Sequence, residues 1–218
     1  MKPNKFQNEY FFKHPRTPSQ QTYCESLQNN VITIGSGPPG TGKTLLALQE
    51  AIKQNYRKIY YVRNNCFTDG LGSKGRGELP GTILEKAMPL LGPIADNLFE
   101  LVAEHKAKYM IEKGIIEPLY YEDLRGRSLA NAFIIADEAQ NVPSKGIKTL
   151  LSRLGRDSKL VLSGDSRQKD TKPDINDGLA DACKRLDTLN FVGIVHFTCA
   201  DIQRNAFLQS ILNRYDEY

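Results

Sequence analysis

The residues with the most definite chemistry are Gly37-Pro38-Pro39-Gly40-Thr41-Gly42-Lys43-Thr44, which fit the pattern G-x-x-x-x-G-K-[ST]. Glycines at this spacing let backbone N–H groups turn inward around phosphate oxygens. Lys43 reaches the β and γ phosphates of a nucleotide, and the Thr44 hydroxyl can bind Mg2+. The run continues through Leu45 into a helix whose N-terminus adds a field favouring the same anion. A glycine-rich turn without a ligand is a poor competitor, because the strand and helix that the chemistry requires flank the motif.

Phe133-Ile134-Ile135-Ala136-Asp137-Glu138 reads as an apolar strand delivering two carboxylates. In that arrangement Asp137 holds the Mg2+ shell and Glu138 orients or deprotonates a water. Alone, the pair is as readily a solvated strand end or a helix cap. Leu160-Val161-Leu162-Ser163-Gly164-Asp165-Ser166-Arg167-Gln168 repeats the plan, bringing Gln168 toward a γ phosphate or an attacking water. Arg153 and Arg204 are candidate arginine fingers, since a planar guanidinium suits the spread charge of a phosphoryl transition state; most helical arginines are simply solvated. His14, His105 and His196 have neither metal spacing nor the setting of a catalytic triad.

These motifs need a frame that delivers them to one place. Val31 to Ile34, Lys58 to Val62, Ala132 to Ala136, Lys159 to Ser163 and Phe191 to Phe197 read as strands buried on both faces, with Ile115 to Tyr121 as a weaker sixth. Lys43 to Asn55 sets Leu45, Leu48 and Ile52 on one helical face, and Ser144 to Leu154 repeats apolar residues at helical spacing. Strands alternating with helices predict a parallel α/β sheet whose ligands bind at the carboxyl ends of the strands. Residues 1–17 form an N-terminal arm without clear period, ahead of one domain over 18–218. Asp69 to Gly81 is a glycine-rich basic loop.

At 218 residues, with 40% hydrophobic and 25% charged, the chain has the composition of one ordinary domain. Twenty-nine Lys+Arg against 25 Asp+Glu give +4, which permits a polyanionic partner without demonstrating one. The four cysteines are scattered and form no Cys-x-x-Cys pair, which predicts reduced thiols and a cytoplasmic location. Neither a signal peptide nor a membrane span is expected.

Together these segments resemble the PhoH-like family, phosphate-loop ATPases related in their core to superfamily 1 helicases. The resemblance runs from about Arg16 to Leu212. It passes through Pro15 to Gln20, the phosphate loop, Arg63 to Gly81, Leu124 to Arg127, Phe133 to Asn141, Leu151 to Gly155, Gly164 to Asp170 and Asp201 to Arg204. It implies a single RecA-like domain that binds and hydrolyses ATP, with a role in RNA metabolism. It also implies that Gln20 reads the adenine edge, that Gln168 senses the γ phosphate, and that Arg153 and Arg204 fall on arginines of the family pattern. Arg63-Asn64 departs from the family's usual Arg-Pro, and the sequence of the following loop, Asp69 to Gly77, departs from the family pattern as well.

The leading expectation is an ATPase acting on RNA or single-stranded DNA. Helicases of that superfamily close ATP between two cores. One core here predicts an arginine supplied by a neighbour, and hence a homo-oligomer, with a ring holding ATP at the interface as the expected form. The alternatives are a nucleotide-gated scaffold with little turnover and a small-molecule kinase.

Overall fold

Strands apolar on both faces must be covered on both, and here they pair side by side into one layer. The computed structural model describes residues 9–63, 83–168, 177–203 and 214. Strands β1 (Ile32–Ser36), β2 (Lys58–Arg63), β3 (Ile116–Tyr120), β4 (Ala132–Ala136), β5 (Lys159–Gly164) and β6 (Val192–His196) form a sheet in the order β3-β2-β4-β5-β1-β6. Every pairing in it is parallel. The weaker sixth candidate is the edge strand β3, in register with β2 from Ile59↔Ile116 to Arg63↔Tyr120.

Alternation across the pleat divides the core in two. Phe133 and Ile135 of β4 join Tyr61 and Val161 on one face, whereas Ala132, Ile134 and Ala136 join Ile34 and Leu162 on the other. Helices α1 (Pro18–Asn29), α2 (Lys43–Lys53), α3 (Ile83–Leu101) and α4 (Glu104–Glu112) cover the first face, and α5 (Ser144–Leu151) and α6 (Gly178–Leu186) the second. The product is a three-layer α/β domain of the RecA-like phosphate-loop type. No helix among the described residues is long and apolar enough to cross a membrane.

Two helices differ from expectation. On α2, Leu46, Ala47, Leu48 and Ala51 are fully buried while Leu45 and Ile52 are only partly so. The reason is that α1 and α3 pack on α2 as well as the sheet, so its apolar face wraps further round than a single-sided helix requires. Helix α5 stops at Leu151, and Leu154 leaves it to bridge Leu129 just before β4.

Helix α1 starts where local chemistry demands. The Thr17 hydroxyl accepts the Gln20 N–H at 3.2 Å and Pro18 occupies the first turn. Ahead of it the chain is laid along the junction of α3 and α4. Phe11 N–H donates to Leu101 O at 2.7 Å, and Ala103 N–H to Glu9 O at 2.9 Å. The basic loop at 69–81 lies outside the described residues.

Candidate nucleotide site

Parallel strands send their carboxyl ends the same way, and β5 lies between β1 and β4. Register does the rest, pairing Ser36 with Gly164 and Ala136 with Leu162. The loop after β1, the Asp137–Glu138 pair after β4 and the Gly164–Gln168 turn after β5 therefore converge on one cavity of about 460 Å3.

The phosphate-type loop is pinned from several sides. Gly37, at φ 144°, lies against the Phe197 carbonyl, where a Cβ would collide. Gly37 N–H donates to Gly164 O and Gln203 N–H to Gly40 O, each at 3.0 Å. Gln20, buried beneath the loop, donates from Nε2 to Thr41 O at 3.0 Å and accepts the Arg16 N–H at 2.7 Å. Within the loop the Thr41 hydroxyl donates to Pro38 O at 3.0 Å, while Pro39, Gly40, Gly42, Thr44 and Leu45 line the cavity. Lys43 folds over it, donating to Gly37 O at 2.7 Å and Pro38 O at 2.8 Å. Burial lowers the Lys43 ammonium to about 8, against the opposing pull of Asp137, Asp165 and Glu138.

Asp137 collects four donors. Thr44 Oγ1 at 3.1 Å and Tyr61 OH at 3.0 Å meet its Oδ2, and Ser163 Oγ at 2.7 Å and Glu138 N–H at 3.1 Å meet its Oδ1. Burial, reinforced by the Asp137 charge, raises the Tyr61 phenol far above its ordinary range and keeps it a proton donor. Glu138 adopts a left-handed backbone, φ 54° and ψ 38°, and Gln140 Nε2 donates to its Oε2 at 2.7 Å. Burial and the neighbouring Asp137 raise the Glu138 pKa, outweighing the Gln140 hydrogen bond and the cations Arg63 and Lys43. Gln140 is itself fully buried, and its Oε1 accepts the Asp165 N–H at 3.3 Å.

The Thr44 hydroxyl and Asp137 carboxylate are hard oxygen donors on adjacent loops, a set that fits Mg2+ with phosphate and water completing its shell. Among the described residues no three His, Cys, Asp or Glu gather as a self-sufficient metal site.

The family model for PhoH-like proteins matches residues 13–216, nearly the whole chain. The chain belongs to the PhoH-like family. A PhoH-like protein of Mycobacterium tuberculosis is 36% identical over 208 residues, spanning 94% of this chain and 58% of that protein. One from Bacillus subtilis is 34% identical over 206 residues, spanning 93% of this chain and 63% of that protein. This PhoH-like chain thus spans about three fifths of the length of these relatives. Among solved structures, the large terminase of a thermophilic bacteriophage, in complex with ADP, matches with TM-score 0.52 at 11% identity, over 91% of this chain and 49% of that one. That likeness is one of fold.

Not every expected residue of the PhoH-like chain reaches the cavity. Gln168 does, exposed at its rim, with its carbonyl 3.3 Å from Gln140 Nε2. Arg153 does not: its carbonyl accepts the Leu129 N–H at 2.8 Å, ahead of the start of the strand that carries Asp137 at its far end. Arg204 lies outside the described residues. Conversely, Tyr61, Ser163 and Gln140 serve the carboxylates without having been singled out. Tyr61 sits in an apolar run where a phenol looks like core, and only the pairing of β2 with β4 brings its hydroxyl to Asp137.

Proposed function

We propose that this PhoH-like chain is a Mg2+-dependent ATPase whose cycle is coupled to RNA or single-stranded nucleic acid. The observation that carries it is Asp137, bonded to Thr44 and followed by a Glu138 whose carboxylate a buried glutamine holds within the same cavity. Loop N–H groups from Gly37 to Thr44 bind the phosphates, and Lys43 exchanges loop carbonyls for β and γ oxygens. Thr44 and Asp137 hold Mg2+, which when bound neutralises charge on the phosphates. Glu138 takes the proton of the attacking water, for which its raised pKa makes it a better acceptor than an ordinary carboxylate. Gln168 stands at the rim as γ-phosphate sensor. Gln20 retains one N–H and one lone pair, which match the acceptor and donor on adenine's edge.

The ADP bound by the phage terminase supports a nucleotide in this fold; coupling to nucleic acid rests on the helicase-related motifs. With Arg153 at the opposite end of its own sheet, an arginine finger comes from a neighbouring copy, so the active form is a homo-oligomer, a ring with ATP between subunits. Among the described residues, thiols outside any disulfide at Cys24 and Cys183 fit a cytoplasmic protein.

The test is Mg2+-dependent ATP hydrolysis by the purified chain, with and without single-stranded RNA, across concentrations that report assembly. Turnover rising with RNA and with assembly is expected. The position of Arg153 also favours a second reading, a nucleotide-gated scaffold; tight ATP binding with flat, negligible turnover would select it.

A further inference from the structure

The nucleotide cavity has two ends. Asp137, Glu138 and Gln168, linked through Gln140, mark one; Lys13, His14 and Arg16 of the arm, tied to α3 by the Lys13–Glu100 ion pair, line the other together with Asp96 and Asn97 of that helix. A triphosphate seated on the loop with its γ group toward Glu138 directs its sugar and base to this second end.

What holds the arm there is a side chain of the phosphate-loop helix. Gln49 of α2 is fully buried, and its amide meets the Lys13 backbone twice: Lys13 N–H donates to Oε1 at 2.5 Å, and Nε2 donates to Lys13 O at 2.9 Å. The carboxamide thereby acts as the missing strand partner for one residue of extended chain. Three residues on, Gln20 accepts the Arg16 N–H, and the Lys13 ammonium reaches Glu100 of α3 at 3.2 Å. The backbone of 13–16 is thus fixed at both ends by buried amides while His14 and Arg16 stay exposed toward the cavity.

We infer that residues 13–16 are the wall that receives the nucleoside half of the bound nucleotide, and that Gln49 is the positioning residue that sets this wall against the phosphate loop. The inference rests on the nucleotide reading above and extends it: Gln49 touches no ligand, and its influence reaches the base and ribose but not the phosphates. The imidazole of His14 and the guanidinium of Arg16 are flat groups suited to a base face, and the Asp96 carboxylate is an acceptor for ribose hydroxyls.

The test compares binding of ATP and of inorganic tripolyphosphate to the full chain. Gln49→Leu keeps the volume and removes both hydrogen bonds. ATP affinity is expected to fall about tenfold, the effect of one or two lost positioning hydrogen bonds, with tripolyphosphate affinity unchanged. An equal loss for both ligands, which a structural defect in α2 gives, overturns the inference, as does unchanged ATP affinity. If Gln49→Leu loses its cooperative thermal transition, the exposed pair His14→Ala and Arg16→Ala replaces it, with the same ATP-selective loss expected and unchanged ATP affinity overturning the proposal. A wild-type chain that binds tripolyphosphate as tightly as ATP refutes the nucleoside wall alone; one that binds neither refutes the nucleotide site itself.

Discussion

Gln140 Nε2 lies 2.7 Å from Glu138 Oε2, while the other end of the same amide takes the Asp165 N–H, so one buried side chain ties the proposed base after β4 to the turn after β5. Gln140→Leu frees Glu138 to change rotamer and removes a hydrogen bond that lowers its pKa. Turnover is expected to fall roughly 10- to 100-fold through lost orientation, with ATP affinity nearly unchanged. Steady-state kinetics beside equilibrium ATP binding read the two effects separately.

Replacing the base itself goes further. Glu138→Gln is expected to reduce hydrolysis by about 10²- to 10⁴-fold, the usual contribution of a positioned base, and to leave ATP binding nearly intact. Lys43→Ala abolishes turnover and weakens binding as well, because the ammonium meets phosphate in the ground state too. Near-normal turnover in Glu138→Gln would strip that residue of its role.

The two titrations run in opposite senses. Lys43 is charged below about 8 and neutral above it, so ATP affinity is expected to weaken as pH rises through that value. Bound phosphate favours the charged form, so turnover at saturating ATP extends to higher pH than affinity does. Glu138 accepts a proton only when ionised, and its pKa is raised; kcat therefore falls with decreasing pH through a value above the ordinary 4.5. This acid limb should vanish in Glu138→Gln. Binding and rate profiles from about pH 4 to about pH 9.5 test both limbs.

Gly164 ends β5 directly under Gln140, where a Cβ would overlap the amide oxygen. Gly164→Ala is expected to destabilise the fold by about 1–3 kcal/mol, as overpacking a filled site does, and to reduce turnover by displacing Gln140. Thermal unfolding and kinetics on the same variant check both effects.

Much of this site was legible in the sequence because its pieces are local. A phosphate loop, a strand ending in two carboxylates and a third strand ending in a polar turn each announce themselves within about ten residues, and parallel topology guarantees a shared edge. The inner strands β1, β4 and β5 were readable for the same reason, since burial on both faces leaves them largely apolar, whereas the edge strand β3, with Glu117 and Pro118 only half-buried, read more weakly. What stayed hidden depends on pairings across the chain. Ser163 looks like no more than the end of an apolar strand until β5 meets β4, and Gln49 looks like the polar side of an amphipathic helix until the arm crosses it. The one-sided reading of α2 failed likewise, because alternation within a helix cannot report that two other helices will cover it. The Thr17-Pro18-Ser19-Gln20 cap of α1 was readable in principle, being a Ser/Thr-x-x-Gln pattern with proline in the first turn.

Two fastenings of this cavity, by Gln20 and Gln49, join amides to backbone groups, none of which titrates or attracts counterions. Dissolved salt screens charged contacts over about 10 Å at roughly 0.1 M and leaves such neutral clasps untouched. The framework should therefore hold its shape across ordinary changes of acidity and ionic strength. Sensitivity to pH then reports Lys43 and Glu138, and sensitivity to salt reports contacts with a charged partner rather than a loosening of the cradle.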